Sequence, residues 1–493
     1  MKDRRRRVRR ARLIRTFSTY HLHRSPVAEL YSFDWPVRTK WAVTLTACYV
    51  TLIVGINSTS ITAAAMPINQ RFGISDESFP NSFWPVTAWN GGAALAPMVI
   101  LPIMEKYGMK IGYIVCYSLF TAFIIPQATA SNFSTLIICR FFAGCCGGVL
   151  QDVMDGIIAD IWQGAKQRSL PVTAYVFSLL VGVTLGPVIG GAIVSTLYWR
   201  WIFYTQLIIY GVSFLPIIFF FKETRTIPVT NTTAMNENNG SNENSVHNTA
   251  ARDSIAKFLS EAVALPSFLL CTEPVVFFFT MLSALSYGLV FISTQSVTQV
   301  YTALYKWNEY QAGLVQASLI LGELVGFFAC LFQNKIYHDR ARSTDADREG
   351  LESSIAESRL YVSIPGSFLG LTGGLFLYGW TSYASLPWIL PSIGLAFVGF
   401  GSMTVMQAIM MYITDAYERY AASASAAVCF GENLFAAFLP LAASSMYTNL
   451  GFQWASSVLA FISLGMSFAP VILILKGREI RKRSPFMKRA MYN

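Results

Sequence analysis

The chain has 493 residues, of which 54% are hydrophobic and 13% are charged. Soluble domains are about 25% charged, so this composition excludes an ordinary soluble protein and indicates one that crosses a membrane many times. The net charge of +10 is carried by the chain ends and by loops between apolar runs. No folded basic domain is visible, and we therefore expect no nucleic-acid partner.

Apolar runs long enough to span a bilayer, about 20 residues each, recur twelve times. Because twelve is even, both termini lie on the same side. We predict an all-α membrane protein with spans at 41–64, 83–103, 111–130, 133–157, 170–195, 201–221, 270–297, 311–332, 360–380, 387–412, 421–445 and 453–475.

Basic residues lie almost entirely on one side of these spans. Of the 37 Lys and Arg residues, only Arg71, Arg200 and Lys306 fall in loops on the side away from the termini, and Arg140 lies within a span. The positive-inside rule therefore predicts cytosolic termini. We expect the plasma membrane, with the vacuolar membrane as an alternative; the Arg-rich start also resembles a mitochondrial transit peptide, as many cytosolic tails do.

A polar segment rich in Asn and Ser divides the spans into two sets of six. It predicts a basic tail at 1–40, a six-helix bundle at 41–221, a largely disordered cytosolic linker at 222–268, a second six-helix bundle at 269–475 and a basic tail at 476–493. Two related bundles of this kind commonly face each other across a central cavity.

The fifth span contains the stretch LGPVIGGAIV. Gly182, Gly186 and Gly190 recur every four residues, so one helix face is nearly bare and another helix can come close. Pro187 removes a backbone donor and bends the helix, which is tolerated when a neighbour satisfies the freed carbonyl. We expect this region, including Gly191, to pack against a helix of the other bundle as a hinge and seal; ordinary close packing is the alternative.

Further patterns accompany this stretch. The loop after span two reads LPIMEKYGMK, with Glu105, Gly108 and Lys110; span four contains RFFAGCCGG; WRWIF follows span five; and the last three spans include YITDAYERYAASASAA and FLPLAASSMYTNLGFQWASS. Together these patterns resemble the major facilitator superfamily, specifically the fungal branch of its twelve-span drug:proton antiporters. The resemblance implies the major facilitator fold and transport by alternating access.

The chain departs from the family pattern in places. Leu101 and Met109 replace the expected Gly and Arg of the first-loop motif, and Glu432 lies where fungal relatives often carry Arg. In the family, residues like Glu105, Lys106 and Lys110 pair with neighbouring helix ends. We expect such a latch here, with Asp160, Lys166 or Arg168 as its partners.

Five charged side chains within the predicted spans are candidates for proton coupling: Arg140, Asp152, Asp155, Glu323 and Glu432. A charge at the bilayer centre costs about 2.5–3.5 kcal/mol on insertion scales, so it commonly faces protein or a watery cavity. We hypothesise that Asp152 or Asp155, coupled to Arg140, exchanges protons as the cavity alternates. Glu323 or Glu432 would do so in the other bundle. The alternative for Asp152 and Asp155 is capping or pairing near the cytosolic end.

Polar and aromatic residues at mid-depth are candidates to line a ligand cavity, because aromatic rings can contact flat or cationic solutes. Methionines at 403, 406, 410 and 411 offer adaptable apolar contacts. The alternative for each of these residues, which residue statistics favour, is packing or a place in an interfacial belt. The polar and aromatic candidates are Asn57, Trp89, Asn90, Tyr287, Gln295 and Gln407.

An enzyme is not indicated. All four histidines lie in predicted cytosolic loops, no GxSxG, P-loop or HExxH pattern occurs, and the eight cysteines show no metal or disulfide spacing. We expect a monomer in the lipid bilayer that exports small, partly hydrophobic organic compounds, with no cofactor and the proton gradient as energy source. The alternatives are a polyamine or other organic-cation transporter, and a protein that binds a solute without transporting it.

Overall fold

The computed structural model of the chain describes residues 35–76, 80–224, 263–344, 356–417, 420–484 and 486–487. Most of the N-terminal basic tail, most of the predicted linker and the end of the C-terminal tail lie outside these residues. The described part contains twelve helices long and apolar enough to cross a membrane, which confirms the predicted architecture and number of spans. They are α1 (Val37–Phe72), α2 (Asn81–Tyr107), α3 (Met109–Ala128), α4 (Phe133–Ile161), α5 (Lys166–Thr196), α6 (Trp201–Phe220), α7 (Pro274–Tyr305), α8 (Glu309–Ile336), α9 (Ala356–Thr381), α10 (Ile389–Tyr417), α11 (Ala421–Ala443) and α12 (Ser445–Gly477).

Helix ends follow local sequence signals. α1 continues beyond its predicted end through a 3-10 turn at Ile61–Ala64 and stops at Gly73, whose φ is +65°. The backbone between α11 and the main part of α12 is broken at Gly451, whose φ is +79°. Both glycines adopt a left-handed conformation that side chains disfavour, so the chain can change direction there.

Short connections make successive helices antiparallel. α1 therefore begins, and α12 ends, on one side of the bundle, which we call the terminal side. A tight turn at Gly108, with φ +114°, joins α2 to α3 on this side.

The two sets of six helices pack on each other along an apolar seam. α2 lies against α11, and α5 lies against α8. The core of the first six helices also includes buried side chains from the second six, among them Tyr287, Phe291, Met403 and Met406. The functional residues described below lie in or beside this seam.

Candidate functional site

The glycine-proline stretch of α5 is built around one hydrogen bond. Pro187 has no amide hydrogen, so the carbonyl of Val183, one turn earlier, loses its helical partner. Thr59 of α1 replaces that partner, because its Oγ1 donates to Val183 O at 2.7 Å. A side chain on Gly186 would overlap Thr59 Oγ1. Gly186 therefore leaves the space through which Thr59 reaches the carbonyl that Pro187 frees.

The bare face of α5 packs against α1 of the same bundle, which corrects the expectation that it meets the other bundle. A Cβ on Gly182 would lie 2.6 Å from Leu52 O, and one on Gly190 would overlap Ser60 O. The four-residue spacing of the glycines predicts that another helix packs closely on this face of α5, but it does not predict which helix. The identity of that neighbour depends on the whole bundle.

A different face of α5 meets α8 of the second bundle. A Cβ on Gly191 would lie 3.5 Å from the Tyr310 ring, and one on Gly313 would lie 3.6 Å from Pro187 O. Deeper in the membrane, Thr184 Oγ1 donates to Glu323 Oε1 at 2.7 Å. α5 thus contacts α1 on one side and α8 on the other.

Glu323 is an acid enclosed in the seam between the bundles. It lies near the middle of α8, and its side chain is 0% exposed. Its second carboxylate oxygen, Oε2, has no hydrogen-bond partner among the described residues. A buried carboxylate with one hydrogen bond is expensive when charged, so this position favours a group that can accept a proton.

Arg140 is also fully buried, but its partners are backbone carbonyls. Its guanidinium donates to Pro85 O at 3.3 Å, to Asn57 O at 2.9 Å and to Ser58 O at 2.7 Å. The Asn57 side-chain oxygen accepts a further bond at 3.2 Å. These bonds connect α4 with α1 and α2 inside the first bundle.

This geometry corrects the proposed direct coupling of Arg140 to Asp152 or Asp155. On one α-helix, residues 12 and 15 positions apart are separated by about 18 and 22 Å along the axis. A shared helical face does not bring such residues together. Arg140 instead holds α4 to α1 and α2 within the first bundle.

Three acids from the two bundles gather on the terminal half of the seam. Cys429 of α11 lies beside the carboxylate of Asp152, and Ser425, also of α11, lies beside Asp155. Glu432 accepts a hydrogen bond from Ser283 Oγ at 2.5 Å. α4 and α11 thus bring Asp152 and Glu432 within electrostatic range of each other.

A narrow cavity opens beside Glu432. Its free volume of about 10 Å³ has room for about one water molecule, so the two bundles are closed around it. The lining residues come from α5, α7, α10 and α11, and they are Tyr175, Val176, Leu179, Ser283, Met406, Met410, Ile413, Ser425, Val428 and Glu432.

The predicted cavity residues occupy several environments. Asn57 and Trp89 belong to a buried network, in which Trp89 Nε1 donates to Asn57 Oδ1 at 3.1 Å and Asn57 Nδ2 donates to Gln206 Oε1 at 2.8 Å. Asn90 Nδ2 donates to Val86 O, one turn away. Asn57 and Trp89 therefore stabilise the interior of the first bundle and do not line the cavity beside Glu432.

The candidates from the second bundle lie closer to the seam. Gln407 Nε2 reaches Thr173 Oγ1 of α5 at 3.3 Å and so crosses between the bundles. Tyr287 is buried within electrostatic range of Glu432 and Asp152. Gln295 is partly buried, and its Oε1 has no described hydrogen-bond partner. Of the predicted methionines, Met406 and Met410 line the cavity.

A second polar connection closes the terminal side of the seam, and the sequence did not predict it. Arg359, in the 3-10 turn that begins α9, donates through Nη1 to Ser169 Oγ of α5 at 2.9 Å. The same nitrogen donates to Asn334 Oδ1 at 3.2 Å, and Nε forms an ion pair with Asp415 at 2.9 Å. Asn334 Nδ2 in turn lies 3.3 Å from Thr173 Oγ1. We call these residues the Arg359 network.

The helical continuation of α12 supports the same turn. Arg481 Nη2 lies 2.6 Å from Glu357 Oε1, and both side chains are buried. Glu357 and Arg359 are two residues apart, so the turn contacts the continuation of α12 through one side chain and α5 of the first bundle through the other.

The first-loop motif has a partner that the sequence did not identify. At the Gly108 turn, the backbone amides of Met109 and Lys110 donate to the two carboxylate oxygens of Glu223 at 2.9 and 3.0 Å. A carboxylate is favourable at a helix N-terminus, where amide hydrogens lack helical partners. Glu223 therefore caps α3 and ties this turn to the end of α6.

Comparisons with known proteins agree with this geometry. The sequence profile of the Major Facilitator Superfamily matches residues 47–437, so the chain belongs to that superfamily. Its relatives place it in the fungal branch of drug and metabolite transporters. The chain is 31% identical over 470 residues to "Efflux pump bik6" of Gibberella fujikuroi, covering 93% of each chain. It is 30% identical over 457 residues to "MFS transporter cpaT" of Aspergillus oryzae, covering 92% of this chain and 90% of the relative.

A solved structure shows the same fold. The crystal structure of the human organic anion transporter MFSD10 (TETRAN) superposes with a TM-score of 0.56 at 16% identity, covering 88% of this chain and 100% of the other. At this identity the likeness concerns the fold alone.

Proposed function

We propose that the chain is a proton-coupled secondary transporter that exports small, partly hydrophobic organic compounds by alternating access. The observation that carries this proposal is the buried hydrogen bond between Thr184 and Glu323, which joins an acid to the seam that must open and close. The names of relatives such as "Efflux pump bik6" and "Efflux pump FUB11" support the export of organic compounds.

The chemistry of coupling follows from burial. While the seam is closed, Glu323 is out of contact with water and favours its neutral form. When α5 and α8 separate, the bond to Thr184 breaks and water can solvate the carboxylate, which then releases its proton. When the site opens in turn to each side of the membrane, the carboxylate takes up a proton from the acidic side and releases it to the other side, and the proton gradient can supply the energy.

Asp152, Asp155 and Glu432 are further proton-exchange candidates, since they lie where the two bundles meet. Arg140 contributes by holding the first bundle rigid. The conformational residues Gly182, Gly186, Pro187, Gly190 and Gly191 keep α5 close to its two neighbours. Glu105 lies in the last turn of α2, Gly108 forms the turn, and Lys110 lies in the first turn of α3. We expect the monomer to act in the plasma membrane with its terminal side in the cytosol.

The proposal is tested in two steps. Cells with and without the protein are first compared for efflux of a panel of fluorescent lipophilic compounds, and the compound with the greatest protein-dependent efflux is selected. The purified protein is then reconstituted into liposomes, and accumulation of that compound is measured with an acidic lumen and without a pH difference. Accumulation that requires the acidic lumen supports the proposal; equal accumulation in both conditions would overturn proton coupling.

A further inference from the structure

We propose that Ser484 is a phosphorylation site for a proline-directed protein kinase, and that its phosphorylation releases the C-terminal segment and so favours opening of the terminal side. Ser484, Phe486 and Met487 are the described residues of this segment, which follows the helical continuation of α12. The inference goes beyond the transport function and requires that the terminal side face the cytosol, as proposed above, because ATP and kinases are present there.

Ser484 has the sequence context and the backbone conformation that such a kinase binds. The chain reads RKRSPFMKR at 481–489, so a proline follows the serine and basic residues flank it. Proline-directed kinases accept a residue without an amide hydrogen at the position after the serine. Ser484 has φ −73° and ψ 122°, which is the extended conformation that a following proline favours and in which a kinase binds its substrate.

The C-terminal segment is docked on the terminal side of the second bundle. The Phe486 ring packs edge to face against the rings of Phe268 and Tyr420, at centroid distances of 6.1 and 5.2 Å. The backbone amide of Met487 donates to Ser484 Oγ at 3.1 Å, so the hydroxyl also stabilises the docked turn. Ser484 is only 7% exposed, and a kinase therefore reaches it when the segment undocks.

Phosphorylation makes the docked position unfavourable. A bond forms between Ser484 Oγ and the γ-phosphorus of ATP while the bond to the β-phosphate breaks; ADP leaves, and the hydroxyl proton passes to the base of the kinase. The product carries about two negative charges. They lie at the C-terminal end of a helix, where the helix dipole disfavours them, and the buried position has little water to solvate them. The modified segment is therefore more stable undocked.

Arg481 connects this change to the seam between the bundles. It lies three residues before Ser484 and forms a buried ion pair with Glu357 at 2.6 Å. A phosphate on Ser484 competes for the guanidinium, because arginine binds phosphate through strong, often bidentate hydrogen bonds. Glu357 then loses its cation while it is buried, which is destabilising. The turn that holds Arg359 against α5 loosens as a result.

The first test measures phosphorylation of the full chain in lipid nanodiscs. A purified cyclin-dependent kinase is added with Mg²⁺ and ATP, and mass spectrometry measures the phosphate on Ser484 over time. We expect modification of Ser484, about fivefold faster in Phe268→Ala, which removes a ring contact of the docked segment without changing the kinase motif. Tyr420→Ala removes the other ring contact and should act in the same direction.

Phe219→Ala, at a position that is 74% exposed, is the matched control and should keep the rate of the unmodified protein. Circular dichroism and size-exclusion profiles identify variants that fail to fold, and a linker histone confirms that the kinase is active. An active kinase that leaves Ser484 unmodified in every variant would overturn the inference. Equal rates in Phe268→Ala, Tyr420→Ala and Phe219→Ala would overturn it as well.

The second test measures whether phosphorylation opens the terminal side. The rate at which an impermeant maleimide labels Cys429, with the other cysteines replaced, is compared before and after kinase treatment. We expect a rise of about tenfold and no rise in Ser484→Ala. Ser25→Ala should keep the rise, because it removes the only other Ser-Pro pair in the chain. An unchanged rate on phosphorylated protein, or an equal rise in Ser484→Ala, would overturn the inference.

Neither test uses a transported compound or a pH gradient. A negative result in these tests therefore leaves proton-coupled export standing, and a failure of gradient-driven transport leaves the phosphorylation site standing.

Discussion

Thr184 and Glu323, 139 residues apart in sequence, are joined by a hydrogen bond of 2.7 Å between α5 of the first bundle and α8 of the second. The bond lies on the helix face next to the one that packs on α1. Movement of one bundle against the other must therefore change the environment of this acid.

Replacing Glu323 by Gln separates proton exchange from packing. The amide oxygen can still accept the Thr184 hydrogen bond, so we expect normal insertion and stability. The side chain can no longer exchange a proton, and transport of the selected compound should lose its response to a pH gradient. Liposome assays on Glu323→Gln and on the exposed control Glu479→Gln measure this. A full gradient response in Glu323→Gln would assign coupling to another acid.

The Arg359 network predicts how the terminal side opens. Ser169→Ala removes the bond from Arg359 to α5 and leaves the ion pair with Asp415 intact. Loss of one such bond, about 1 kcal/mol, should raise the open population about fivefold. The rate at which an impermeant maleimide labels Cys429 in inside-out vesicles, with other cysteines replaced, measures the change. Ser195→Ala, on the exposed end of α5, is the control, and equal labelling rates in the two variants would contradict a role of the Arg359 network in closing the terminal side.

The packing of α5 on α1 predicts that substitution by alanine lowers stability at Gly186 but not at Gly211. Gly186→Ala places a methyl group against Thr59 and 2.9 Å from Ser60 N, and should cost about 1–3 kcal/mol. Gly211→Ala meets nothing within 4 Å and should leave stability unchanged or slightly raised. Thermal unfolding in detergent measures both. Equal melting temperatures would show that the tight α1–α5 contact is absent in the folded protein.

Arg140 is expected to stabilise the bundle rather than to exchange protons. Lysine cannot reproduce the planar fork that reaches several carbonyls at once, so Arg140→Lys should lower stability by about 2 kcal/mol. At temperatures where the variant is folded, its transport should keep the pH-gradient response. Arg38→Lys, at an exposed position, serves as control. Loss of the gradient response with unchanged stability would restore a role for Arg140 in coupling.

Hydropathy was sufficient to predict the fold. The twelve apolar runs depend on residues that are near in sequence, and all twelve appear as helices long enough to span a membrane. The need of Pro187 for an outside donor was also predictable, because the loss of an amide hydrogen is a property of proline itself.

The partners of these residues were not predictable in the same way. The hypothesis that Arg140 couples to Asp152 or Asp155 ignored their separation along the axis of α4. Helical spacing could not distinguish α1 from α8 as the neighbour of α5. The Arg359 network draws Ser169, Asn334 and Asp415 from three different helices. A single sequence contains no signal that brings such distant positions together.

The central claim is that acids in the seam exchange protons as the bundles alternate. Its most direct test is accumulation of the selected compound by liposomes that contain the purified protein, measured across a series of imposed pH differences. The account predicts accumulation that rises with lumen acidity and disappears when a protonophore collapses the gradient. Transport that proceeds equally at every pH difference would contradict it.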